Sequence, residues 1–122
     1  MKIRTFLMIA AMFSAAPAYA HELEKGPNGG RIADAGEFHV EVVAKSNLIE
    51  VFLSDSSDKP VLAAGFKGVA ILLIDGKHQR IALDQAGADR LSGKTTGTPS
   101  ANVKGVVQLT TPKGASVQAR FK

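Results

Sequence analysis

The sequence predicts an all-β protein, a single small β-sandwich of about seven strands, immunoglobulin-like or cupredoxin-like. Three observations predict it. No window beyond residue 20 carries a helical period of apolar residues. Short runs instead alternate apolar and polar with period two, and they are separated by Gly, Pro, Asn, Asp and Ser clusters at the spacing of a sandwich. A small open barrel is the alternative arrangement of the same strands.

The first twenty residues read as export machinery. Lys2 and Arg4 precede an apolar run from Phe6 to Phe13, and Ala18-Tyr19-Ala20 is a small-x-small cleavage signature, so a signal peptide cut after Ala20 is expected. The apolar run is shorter than the roughly 20 residues a membrane span needs, so no span is expected in the mature form. Residues 21–30, HELEKGPNGG, read as a flexible arm, and 31–122 as the sandwich domain.

Along that domain, Phe38, Val40 and Val42 point one way and His39, Glu41 and Val43 the other. Lys45-Ser46-Asn47 is a turn, and Ile49, Val51 and Leu53 resume the alternation, which makes a hairpin. SDSSDKP, residues 54–60, is a loop by composition. The apolar run VAILLI after Gly68 suggests a strand buried on both faces. Asp75-Gly76 before QRIAL signals a type I′ hairpin, whose turn needs positive φ. A short strand around Arg90-Leu91-Ser92 follows, then Val106–Thr110 and Ser116–Phe121 around Pro112-Lys113-Gly114. The expected core is Phe38, Val40, Val42, Ile49, Val51, Leu53, Ile71, Leu73, Ile81, Leu83, Val107, Leu109, Val117 and Phe121.

Composition narrows the function classes. The chain has 15 basic and 11 acidic residues, a formal net charge of +4; loss of Lys2 and Arg4 lowers it to +2. That is not the concentrated basic face of a nucleic-acid binder. There is no cysteine, so a bound metal would take nitrogen and oxygen ligands. No catalytic triad, thiol nucleophile or phosphate-cradling motif is present, so no enzyme is expected.

Three residues are candidate metal ligands. His39 and Glu41 stand two apart on one strand, which places their bases about 6–7 Å apart on one face. That suits a shared metal, or a carboxylate orienting an imidazole; the alternative is an ordinary solvated face. Cleavage after Ala20 would leave His21 with a free α-amine beside its imidazole, and His39 could add a third nitrogen, an arrangement that suits Cu(II). His78 reads as a solvated hairpin end, and Asp55 and Asp58 as loop residues, since their spacing does not match an EF-hand loop. The paired glycines of Asn28-Gly29-Gly30 permit a tight bend or a close backbone approach.

The stretch Gly26-Pro27-Asn28-Gly29-Gly30-Arg31-Ile32, followed by Gly36-Glu37-Phe38-His39-Val40-Glu41-Val42-Val43, resembles a segment near the start of periplasmic adaptor subunits of heavy-metal efflux (RND-type) pumps. Small free-standing periplasmic heavy-metal-binding proteins carry a similar segment, and VFLSD, KPV and GVAILLIDGK are similar to theirs too. The resemblance spans most of residues 26–122 and implies a small β-rich domain, with a Gly-Gly turn, a short strand, a turn, and a strand holding an aromatic-His-x-Glu run. His39 and Glu41 match that run; Asn28 stands where relatives often have His. The resemblance implies a periplasmic protein that buffers or delivers copper or zinc to an efflux or resistance system, with a metal-efflux adaptor or related envelope protein as partner. The other expectation is a non-catalytic interaction module that binds a protein without metal, with Gln85–Gly105 as its variable surface.

Overall fold

A computed structural model describes residues 25–122; the expected signal peptide, its cleavage site and His21 lie outside the described residues. Eight strands form: β1 (Arg31–Ala35), β2 (Phe38–Lys45), β3 (Leu48–Asp55), β4 (Lys67–Ile74), β5 (Lys77–Gly87), β6 (Arg90–Lys94), β7 (Gly105–Thr110) and β8 (Ser116–Phe121). All neighbours are antiparallel, in the order β1-β2-β3-β6-β5-β4-β7-β8. The all-β expectation therefore holds.

The additional strand is β1. Its sequence, RIADA, has one large apolar residue and little alternation, so its extended state comes from pairing with β2 and not from its own pattern.

Hydrogen bonding runs unbroken through all eight strands because β5 is long and serves both halves. Its Leu83 pairs with Gly68 of β4, and the next residue, Asp84, pairs with Ser92 of β6. A register shift between Gln85 and Gly87 marks a bulge, the usual device for bending a strand. One layer is thus β1-β2-β3-β6 and the other β5-β4-β7-β8, and their inner faces enclose the core. β7 returns beside β4 after the β4-β5-β6 meander, a Greek-key connection. β1 and β8 approach at the open seam. The Arg31 guanidinium reaches across it, donating to the Val103 carbonyl and, at 2.8 Å, to the Lys122 carbonyl. The result is a flattened, nearly closed barrel.

The two-residue turns are as expected. Ser46 and Asn47 join β2 to β3, and Asp75 and Gly76 join β4 to β5 with φ of 50° and 78°, the positive values a type I′ turn requires. The core contains ten of the fourteen expected residues in fully buried positions, and Phe38 and Val117 pack partly buried against it.

Ile71 and Leu73 are the exceptions. Leu73 is 39% exposed and Ile71 half-buried, whereas Ala70, Leu72 and Ile74 face inward. β4 is therefore buried on one face, with the opposite phase from that expected. VAILLI has no polar residue to mark its outer side, so register against β5 and β7 decides the phase.

Candidate functional site

The outer face of β1-β2-β3 carries His39 and Glu41 side by side on β2, but the structure gives them separate partners. Glu41 is only 2% exposed. Its carboxylate accepts hydrogen bonds from the Gly30 backbone N–H at 2.8 Å, the Asn28 backbone N–H at 2.9 Å and the Asn28 side-chain amide at 2.9 Å. Successive backbone N–H groups of a turn form an anion-binding concavity, and here the anion is the chain's own side chain.

The turn is built for this approach. Gly26 N–H donates to the Gly30 carbonyl at 2.8 Å and Gly29 N–H to the Gly26 carbonyl at 3.0 Å. A Cβ on Gly26 would fall 2.2 Å from the Glu41 carboxyl carbon, and one on Gly30 would fall 2.3 Å from the Val42 carbonyl oxygen. Only glycine permits either contact. Residues 26–30 are consequently a lid folded over Glu41, which corrects the expectation of a free arm reaching to residue 30. Asn28 is a donor to the buried carboxylate, so it fills a structural role at the position where the resemblance expects His.

His39 lies at the other end of this face. Asp34 is its direct cross-strand neighbour on β1, and its Oδ1 sits 3.2 Å from His39 Nε2. Asp58 approaches from the opposite side, its Oδ1 2.8 Å from Nδ1. Asp58 comes from the loop after β3 and adopts φ of 61°, a left-handed conformation that Asp tolerates better than most residues.

Asp55 organises that loop. Its Oδ1 accepts from Ser57 N–H at 2.8 Å and Lys59 N–H at 3.0 Å, an Asx-type arrangement. The Lys59 N–H, and then the Ser57 N–H, hold the Asp55 carboxyl below its ordinary pKa. Sequence composition placed Asp55 and Asp58 in a loop; it carried no signal that the loop would return to His39, a contact across 19 residues.

With one ring proton, an imidazole donates to one carboxylate and presents a lone pair towards the other; with two, it donates to both. The first state also describes a metal-binding imidazole, in which a carboxylate on one nitrogen orients the ring and the other nitrogen is the ligand. His39 Nε2 and the Asp34 carboxylate could supply one nitrogen and one oxygen ligand, with Asp58 holding the ring. The two carboxylates flank the ring on opposite edges, and among the described residues no three His, Asp or Glu side chains converge on one point for a metal ion.

Between the lid, β3 and the loop after it lies a recess of about 390 Å³, with Glu41, Phe52, Asp58 and Asp89 in its lining. Beside it, Arg90 spans Phe52, with its guanidinium carbon 5.5 Å from the ring centroid, and donates to Glu50 at 3.1 Å. Lys45 also donates to Glu50 at 2.9 Å. Lys45 first and Arg90 next hold the Glu50 carboxyl below its ordinary pKa, against the opposing effect of burial. His78 is exposed on β5, as expected of a solvated hairpin end. Comparison with protein-family models, curated proteins and solved structures returned no match.

Proposed function

We propose that this is a periplasmic transition-metal-binding protein that buffers copper or zinc or delivers it to an efflux system, and that it has no catalytic role. The observation that carries this reading is the His39 imidazole, held at Nδ1 by Asp58 with Nε2 beside the Asp34 carboxylate. Nitrogen and carboxylate donors without sulfur suit Zn(II) and Cu(II). Glu41 serves by fastening the lid, not as a ligand.

The remaining ligands in this proposal are the imidazole and α-amine of His21, exposed by cleavage after Ala20. The distance permits it. Lys25 bridges to Arg31, and Asp34 stands three residues further along β1, about 10 Å at strand rise. Four further residues of extended chain span up to about 13–14 Å.

The test is calorimetric titration of a chain beginning at His21 with Cu(II) and Zn(II). Binding should be lost in His39→Ala and weakened by a single Met added before His21. Affinity no higher than that of a lone surface histidine would overturn the reading. Unchanged affinity with the added Met would remove the α-amine from the ligand set.

A further inference from the structure

The outer face of the β5-β4-β7-β8 layer carries an apolar stripe that nothing in the described chain covers. The pairing sets its rows. Arg80, Ile71, Val106 and Arg120 stand side by side across the four strands. The row below is Ala82, Val69, Gln108 and Gln118; above, Leu73 lies between His78 and Lys104, whose carbonyl accepts from Leu73 N–H at 2.9 Å. Leu73 is 39% exposed, and Val69, Ile71 and Val106 are half-buried.

The charges that flank the apolar rows at Ile71 and Leu73 are mostly basic, with Asp75 and Asp84 at the two ends of the stripe. Arg80, Arg120, Lys67 and Lys104 are exposed, and none of them is in an ion pair among the described residues. The nearest acids are at the margins: Asp75 in the hairpin tip, and Asp84 past the point where β5 turns to pair with β6. Below the stripe the face dips into a depression of about 420 Å³ beside Val69 and Gln108, wide enough to take side chains of a partner.

We propose that this face docks an acidic protein surface, with carboxylates of the partner meeting Arg80 and Arg120 across an apolar centre. An apolar centre inside a charged rim is the anatomy of a protein–protein contact. A membrane-binding face would present protruding aromatic side chains or several long apolar ones; here the stripe has no aromatic, Val69, Ile71 and Val106 are half-buried, and Leu73 is the one large apolar side chain of the stripe that is exposed. A second copy related by two-fold symmetry would set arginine against arginine. Four strands by about six residues cover roughly 400 Å² of flat face, below the roughly 800 Å² per partner of a stable complex, so the docking is transient. It rests on this face alone and is independent of metal binding.

The test places photoreactive p-benzoylphenylalanine at Leu73, and at Ser92 on the opposite layer as control, in the full chain expressed in its native cells. One protein should be cross-linked from position 73 and not from 92, and the cross-linked peptide should be rich in Asp and Glu. The double variant R80E/R120E should lower the yield about tenfold by like-charge repulsion, with its melting temperature unchanged. A yield insensitive to that reversal, a neutral or basic peptide, or no adduct would overturn the proposal. So would binding of the purified protein to vesicles of equal phosphatidylglycerol and phosphatidylcholine that is lost in the same variant.

Discussion

On the outer face of β1-β2-β3-β6, Glu41, His39 and Glu50 all have partners, and a glycine lid closes over one of them. On the outer face of β5-β4-β7-β8, the cations stand apart around apolar side chains that no loop among the described residues covers. Both faces belong to one continuous antiparallel sheet, so backbone pairing does not explain the difference. What differs is what the connections do. The residues before β1 and after β3 fold back as a lid and an Asx-organised loop, and each delivers polar groups to polar groups. The connections of the other layer are a two-residue hairpin and loops that run past its ends. Buried polar groups need partners, so the covered face became a network. The open face kept its apolar residues half-exposed.

The sharpest way to break this comparison is within β4. Leu72→Ala should destabilise the fold by about 3 kcal/mol, and Leu73→Ala by less than about 1 kcal/mol, in urea unfolding. Equal losses would mean that the open face is not open. Next comes the lid. Glu41→Ala removes a buried acceptor and leaves the Gly30 and Asn28 N–H groups without one, so a loss of about 2–3 kcal/mol is expected. Glu41→Gln keeps one acceptor oxygen and should lose less.

The Glu50 cluster sharpens the electrostatic side. A carboxyl whose folded pKa is depressed stabilises the fold above its unfolded value, about 4.3 for Glu, and that stabilisation disappears as pH falls through the folded value. Melting temperature should therefore fall on acidification, and Glu50→Gln should flatten part of that fall. The smallest effect on stability is expected at His39. Its carboxylate partners are exposed, so His39→Ala should change metal-free stability by less than about 1 kcal/mol while removing metal binding.

Much of this was legible in the sequence. The β2–β3 hairpin shows because Phe38, Val40 and Val42 alternate with polar residues and Ser46-Asn47 interrupts them. The β4–β5 hairpin shows through Asp75-Gly76. His39 was recognisable as a candidate because it sits on the outward phase of a well-patterned strand. Glu41, on the same phase, was expected at a shared site, yet it is buried beneath a turn formed by residues that composition alone made a free arm. Local pattern reports which side of a strand a residue takes; it does not report what will cover that side.

By itself, the sequence determined the all-β class, the two tight hairpins, the inward set of β2 and β3, and the absence of thiolate ligands. Those properties depend on side-chain period and on the φ preferences of a few turn residues, which neighbours in the chain settle. Tertiary structure alone decided the phase of β4, the lid over Glu41, and the meeting of Asp34 and Asp58 at His39. Each depends on register or loop return between segments distant in sequence, and those are decided by which pairing best buries apolar surface while leaving few buried polar groups without a partner, the Arg90 Nε–H being one that has none among the described residues.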